Sequence, residues 1–372
     1  MEQIKPGTKL HEILSWVQDM GASDLHLQEN KAARYRVDGQ LKMLSAENLP
    51  PLTREQMLSL LGENFSQACT DRIAAETEVD LSLQMGPTRW RANFSKQQAR
   101  QSCSFRIVPK HTLRLKDLRL PETLRDVLRL PRGLVLLTGP TGQGKSTTVR
   151  ALVQEINETQ ALRIITIEDP IEYIFEDALS QFEQREVGID TATFADGIRN
   201  AMRQDPNVIF VGEIRDRESI FTAMQAAETG HLVFTTLHAD SSAQAVGRIR
   251  EYYPASEQDN ISVMLSRNLN MIVCQRLIPD VHNERVPCVE VLKRDRTVQQ
   301  AIEQNELNRL TEIIEMCNHQ GMHSFDQYLA ELMAAGVISE ATAKTYAANP
   351  HRLEMLIAGY QSSPGILLPE KR

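Results

Sequence analysis

Apolar and polar positions follow two different rhythms along the chain, and the change of rhythm divides it. Leu10, Ile13, Leu14 and Val17 recur at helical spacing, which predicts an amphipathic helix over 9–20, stopped at Gly21. ARYRVDGQLKML, residues 33–44, predicts two short strands about Asp38-Gly39, a dipeptide that suits a tight hairpin turn. A helix is predicted around 53–64. EVDLSLQM, TRWRANFS and SCSFRIVP then alternate polar and apolar residues, as antiparallel strands with one buried face do. From Gly133 the rhythm changes. GLVLLTG, RIITIED, NVIFVGE and HLVFTTLH are continuous apolar runs separated by helical stretches. That pattern predicts a largely parallel sheet with both faces covered. Helices near 297–318, 324–335 and 339–347 follow.

The predicted organisation is a small α+β domain with a curved antiparallel sheet over 1–107, a linker and docking segment over 108–132, and an α/β core over 133–295. A helical part over 296–360 and a loose tail over 361–372 complete it. The docking segment is basic and rich in leucine, with Pro121 capping a short helix, ETLRDVL.

Composition narrows the functional classes. The 372 residues are 41% hydrophobic and 24% charged, as in an ordinary globular protein. A net charge of −8 speaks against a surface that grips nucleic acid, since such footprints are basic. Cys69, Cys103, Cys274, Cys288 and Cys317 are scattered, with no CxxC pair, which predicts reduced thiols and no zinc ribbon. The first residues are too polar for a secretory signal, and no apolar run approaches the ~18–20 residues of a membrane span. Direct membrane insertion is therefore not expected.

Chemistry concentrates in the α/β part. GPTGQGKST, residues 139–147, has Gly139, Gly144, Lys145 and Ser146 at the fixed positions of a P-loop, after a strand and before a helix. Glycines let successive N–H groups turn toward phosphate oxygens, and the helix N-terminus adds partial positive charge. The predicted nucleotide cradle comprises Gly139, Pro140, Thr141, Gly142, Gln143, Gly144, Lys145, Ser146 and Thr147. Lys145 is expected on the β- and γ-phosphates, and the Ser146 hydroxyl on Mg²⁺. NVIFVGEIRD ends a buried strand in Glu213, placed to orient or deprotonate an attacking water. ITIEDPIEY gathers Glu168, Asp169 and Glu172 at another strand end, to hold Mg²⁺ through water or to hold a basic residue.

Together, GPTGQGKST, IEDPIEY, VGEIRD and TGHLVFTTLHAD resemble the Walker A, Asp box, Walker B and His box of the secretion-type ATPases. ASDLHL, RVDG and GMHSFDQ narrow the resemblance to the PilT/PilU branch, whose members retract type IV pili. It covers residues from about 9 to 357. The resemblance implies a PAS-like N-terminal domain, a RecA-like motor domain, and a hexameric ring docked on the pilus platform protein at the cytoplasmic side of the inner membrane. It implies ATP and Mg²⁺ as cofactors. It gives Glu213 the role of general base and matches Glu172 to the last acid of the Asp box. In this family, arginines of the N-terminal sheet close onto the phosphates. Arg89, Arg91, Arg100 and Arg106 occupy that region; Arg89 and Arg106 are put forward as catalytic candidates, and the sequence leaves open which arginine is the finger.

Where PilT-type motors carry an AIRNLIRE-like motif, this chain has RTVQQAIEQNELNRL, residues 296–310. With EDPIEYI and REVGID, this leans toward a PilU-like accessory motor that works with a PilT-type partner. The competing readings are an assembly ATPase, which usually adds a four-cysteine zinc site and a longer N-terminal region, and a RecA-like nucleic-acid translocase.

The His box holds His231 and His238. On one extended strand they would lie roughly 20–24 Å apart and point to opposite faces, so they cannot share a metal. His238, at the carboxyl end, is the expected phosphate sensor. His231 is expected at a helix–strand junction or a subunit contact.

Overall fold

In the first unit the alternating residues form a sheet with one buried face. The computed structural model describes residues 10–37, 39–45, 48–62, 65, 67–85, 88–108 and 114–359. Lys9, Asp38, residues 109–113 and the tail from 360 lie outside the described residues, together with the expectations that fall on them. The chain divides into two units. One takes residues up to His111 and also Pro170–Ile174; the other takes Thr112–Asp169 and Phe175 onward.

The first unit contains α1 (Leu10–Asp19), β1 (Asp24–Gln28), β2 (Arg34–Val37), β3 (Gln40–Met43), α2 (Arg54–Gly62), α3 (Gln67–Ala75), β4 (Glu78–Met85), β5 (Thr88–Gln97) and β6 (Arg100–Val108). Its sheet is antiparallel in the order β3-β2-β1-β6-β5-β4. Trp90, Ala92 and Phe94 of β5 point into the core, with Leu81 of β4, Phe105 of β6 and the apolar stripe of α1. Phe94 meets Phe105 and Phe65 edge-on, at 6.0 and 5.5 Å between ring centres, a favourable aromatic geometry. Arg89, Arg91 and Asn93 alternate with those core residues and so share the opposite face.

The second unit begins with 3₁₀ turns at Leu115–Asp117 and Glu122–Arg129. The segment predicted as a linker buries Leu115, Leu120, Leu124 and Val127 and packs on α4 (Lys145–Thr159). The Gln160 amide donates to the Leu128 carbonyl at 2.7 Å. Then come β7 (Gly133–Thr138), β8 (Arg163–Glu168), β9 (Gln181–Glu186), α5 (Phe194–Ala201), β10 (Val208–Val211), α6 (Arg217–Glu228), β11 (Leu232–Leu237), α7 (Ser242–Glu251), α8 (Ala255–Asn268), β12 (Leu269–Pro279) and β13 (Arg285–Lys293). The sheet order is β13-β12-β7-β11-β10-β8-β9, parallel except for β13. Every residue of β7, β10 and β11 is buried, which is why their sequences are unbroken apolar runs.

The helix predicted over 297–318 is two helices, α9 (Arg296–Glu303) and α10 (Leu307–Met316). Asn305, at φ 56°, turns the chain between them in the left-handed region that asparagine tolerates. α11 (Phe325–Ala334), α12 (Glu340–Tyr346) and α13 (Pro350–Gly359) follow. The GMHSFDQ stretch ties this end together. Ser324 and Gln327 form a capping box, and Asp326 accepts the Ala348 and Asn349 amides at 2.8 and 2.9 Å. His323 stacks on Tyr328, whose hydroxyl donates to the Arg119 carbonyl at 2.9 Å. Among the described residues no helix is long and apolar enough to cross a membrane.

Candidate nucleotide-binding site

The carboxyl ends of β7, β10 and β11 converge on one edge of the parallel sheet, where ligands of open α/β sheets bind. β7 runs straight into the loop 139–144, and α4 starts at Lys145. Gly139 has φ 140°, and a Cβ there would lie 2.3 Å from the Gln275 carbonyl oxygen, so no other residue fits. Gly142 and Gly144 both have φ 78°, which L side chains rarely adopt. Pro140, Thr141 and Gly142 are exposed at the loop crest, while Gln143, Ser146 and Thr147 are half-buried.

Lys145 is 7% exposed. Its ammonium donates to the carbonyls of Gly139 at 2.6 Å and Pro140 at 2.9 Å. Burial lowers its pKa, and the charge of Glu213 works in the other direction. A cavity of about 460 Å³ opens beside Gly144 and Thr147, lined also by Leu118, Arg119, Leu277 and Arg285. That volume is in the range of small-ligand sites.

Glu213 follows β10 and is fixed through the end of β11. The Thr236 hydroxyl donates to the Gly212 carbonyl at 2.7 Å, and the Ile214 N–H donates to the Thr236 carbonyl at 3.0 Å. One Glu213 oxygen pairs with Arg215, and the other lies 3.5 Å from His238 Nε2. The His238 pKa is pushed down, first by burial and then by the Lys145 charge, with Glu213 opposing. The imidazole is therefore held neutral near pH 7, with one N–H to give. Arg248 Nη1 donates to the His238 carbonyl at 2.8 Å and anchors this loop.

His231 lies just before β11. Its N–H donates to the Ala226 carbonyl at 3.1 Å, and its own carbonyl accepts from the Gly133 N–H at 2.9 Å. Its Nδ1 is 2.9 Å from the same Ala226 oxygen. It closes the junction between α6 and β11, at the opposite end of the strand from His238.

Of the acids at the end of β8, Glu168 and Glu172 have different surroundings. Glu168 is buried and accepts from the Thr166 hydroxyl at 2.8 Å and the Gln184 amide at 3.1 Å. Glu172 belongs to the first unit, where its oxygen lies 3.4 Å from Arg91 Nη1. Arg89 Nε donates to the Ile171 carbonyl at 3.1 Å, and its guanidinium also reaches the Ser82 hydroxyl. Within the first unit the structure therefore groups Glu172 with Arg91. Among the described residues no group of three or more His, Cys, Asp or Glu side chains is placed to hold a metal ion.

In the first unit Arg91 and Arg106 are direct cross-strand neighbours. Arg106 Nε donates to Asp24 at 2.7 Å. Burial would raise the Asp24 pKa, but the Ser23 hydroxyl and Arg106 outweigh it and hold the carboxyl below its ordinary value. Arg100 is exposed at the start of β6, beside the β5–β6 turn.

Sequence reasoning missed residues 274–277 of β12, because no motif marks them. Thr138 Oγ1 donates to Cys274 Sγ at 2.8 Å. Arg276 lies over the Phe325 ring at 4.2 Å and donates to the Asp240 carbonyl at 3.3 Å. The faintest available signal is the pair of polar residues, Gln275-Arg276, inside an otherwise apolar run.

A glycine-turned P-loop at the carboxyl end of a parallel sheet, with the acid that follows β10 close enough to act on its lysine, defines a nucleotide-binding P-loop ATPase. Comparison with known proteins places it within that class. The type II/IV secretion system protein family matches residues 5–356. The chain is 37% identical to the type IV pilus retraction ATPase PilT of Pseudomonas aeruginosa over 340 residues, 91% of this chain and 98% of that protein. It is 34% identical to the type IV pilus ATPase PilU of the same organism over 352 residues, 94% of this chain and 91% of that protein. A crystal structure of the pilus retraction motor PilT with bound ADP matches it with a TM-score of 0.83 and 37% identity, over 93% of this chain and 99% of that one. The chain belongs to the type II/IV secretion system protein family and is a RecA-like ATPase of the PilT/PilU kind.

Proposed function

We propose that this ATPase is a motor for type IV pilus retraction, acting as a homohexameric ring on the inner-membrane pilus platform protein. The observation that carries the reading is similarity over nearly the whole of both chains to PilT and PilU, with all four nucleotide motifs present. The two relationships are of similar strength, so the subtype rests on residues. RTVQQAIEQNELNRL, now seen as α9 and the start of α10, supports an accessory, PilU-like motor beside a PilT-type partner. The antiparallel sheet with α1 against its apolar face supports a PAS-like first unit.

The residues divide the work. The loop 139–144 and the first turn of α4 bind the phosphates, with Lys145 exchanging its two carbonyl partners for phosphate oxygens. Mg²⁺ entering with ATP would be held by the Ser146 hydroxyl and would neutralise phosphate charge. Glu213 orients and deprotonates the attacking water. His238, neutral and 3.5 Å from Glu213, reports the presence of the terminal phosphate through its single N–H. Arg89, Arg91 and Arg106 are the proposed charges that answer the nucleotide state, and Glu172 sets the position of Arg91. No nucleic-acid partner is proposed.

The test is a deletion strain scored for surface pili, twitching and retraction under load. Normal pili that fail to retract only under load are expected. Absent pili would instead make the protein an assembly ATPase. Strong stimulation of the purified ATPase by single-stranded DNA would overturn the pilus reading altogether.

A further inference from the structure

Both ends of the P-loop rest on one residue of the neighbouring strand, Gln275 of β12. Gln275 is 2% exposed, between β7 and β13 in the sheet. Its Nε2 donates to the Gln143 carbonyl at 2.7 Å, and its Oε1 accepts from the Thr148 hydroxyl at 2.8 Å. Gln143 answers with its own side chain, whose Oε1 accepts from the Leu277 N–H at 2.6 Å. The Gln275 carbonyl sits under Gly139, at the other end of the loop.

Three of the loop's six residues, Gly139, Gly142 and Gly144, have positive φ. Such a segment has little conformational preference of its own, so its shape must be imposed from outside. The helix that follows reaches the loop through the Thr148 N–H to the Gly144 carbonyl at 3.1 Å and through Lys145 to Gly139 and Pro140, and these bonds leave the Gln143 stretch to be held from β12. Gln275 and Gln143 supply the missing constraint with three hydrogen bonds that need no nucleotide.

We propose that Gln143 and Gln275 form a clasp that holds the P-loop in its phosphate-receiving shape before nucleotide arrives, making Gln275 a positioning residue for binding. The proposal rests on the assignment of 139–147 as the nucleotide cradle. Ordering a loop in advance lowers the entropy lost on binding, so the clasp acts on affinity. Once phosphates occupy the loop they organise it themselves, and the chemical step depends on the clasp much less. Gln275 touches no reacting atom.

The experiment uses the full chain with Gln143→Ala, Gln275→Leu and the double substitution. It measures Kd for a fluorescent ADP analogue, KM and kcat for ATP, and amide hydrogen exchange in the nucleotide-free protein. Each single substitution should raise Kd and KM about tenfold, the scale of one lost buried hydrogen bond, while kcat falls far less. Exchange over 139–148 should rise. The double variant should be no weaker than Gln275→Leu, since both act through one loop. Gln275→Glu keeps the acceptor for Thr148 and loses the donor to Gln143, so exchange should rise at 141–144 and stay low beyond 146. Unchanged Kd and exchange, additive effects, or a fall in kcat with KM constant would each overturn the clasp. Gln143→Ala alters a half-buried loop side chain and keeps the test open if Gln275→Leu fails to fold. A wild-type chain that bound no nucleotide would refute the cradle, while loop exchange would still decide the clasp.

Discussion

The two units hold their positive charges in opposite ways. Lys145 is 7% exposed, closed over two loop carbonyls and backed by the clasp from β12. Arg106 in the first unit has a side chain that is 70% exposed and is held by one carboxylate, Asp24. It also faces Arg91 directly across the strands, an arrangement that repels unless acids offset it. Asp24, Asp80 and Glu172 provide that offset. The P-loop charge is committed before any ligand arrives. The arginine face keeps its charge near solvent, where it can change partners at small cost.

The contrast can be broken or sharpened by experiment. The largest effect is expected from Glu213→Gln, which should retain ATP binding and lose about 10²–10⁴ in kcat. Unchanged hydrolysis in that variant would remove Glu213 from the chemistry. Lys145→Ala should lower kcat/KM by about 10²–10³ and weaken nucleotide binding measured by the same ADP analogue.

The two ends of β11 form an internal control. His238→Ala should reduce kcat by about tenfold, the loss of one hydrogen bond at the reacting end. His231→Ala should act mainly on stability through the α6–β11 junction. The reverse order would refute the division of roles.

Arg106→Ala should destabilise the first unit by about 1 kcal/mol, because Asp24 is left with Ser23 as its side-chain donor. Thermal unfolding measures it, and an effect as large as that of a core truncation would end the contrast between the units.

At neutral pH the smallest effect is that of His323, and it grows as the pH falls. Burial pushes the His323 pKa down from 6.5 to about 3. Between those values the unfolded chain binds the proton and the folded chain does not, so stability falls as pH drops from 6.5 toward 3. His323→Phe keeps a ring against Tyr328 and should flatten the fall of Tm with pH over that window. An unaltered slope would show that other groups set it.

How much of this was legible depended on periodicity. β4, β5 and β6 could be read because each has one wet and one dry face. β7, β8, β10 and β11 could be read because each is built around an unbroken run of buried residues with no alternation. β9, QFEQRE, has neither pattern; it is a strand because β8 offers it an edge. β13 carries Pro287 inside it, tolerable because β13 is itself an edge strand. The P-loop was legible to the residue, since phosphate geometry demands those glycines at that spacing. For Glu172 the sequence left two alternatives open, Mg²⁺ through water or a basic residue, and could not name Arg91 as the neighbour. The break at Asn305 was hidden because apolar residues recur on both sides of it.

What the sequence determined by itself was local: the glycine-turned loop 139–144, the acid after β10, the alternation that makes one face of the first sheet polar, and the family. These follow from backbone conformation and from chemistry within a few residues. Only the tertiary structure decided which of those residues meet. It put Gln275 beneath Gly139, 136 positions away in the chain, paired Glu172 with Arg91, and assigned the two histidines of one motif to opposite ends of a strand. Pairings across a sheet depend on strand order and register, and no local pattern encodes either.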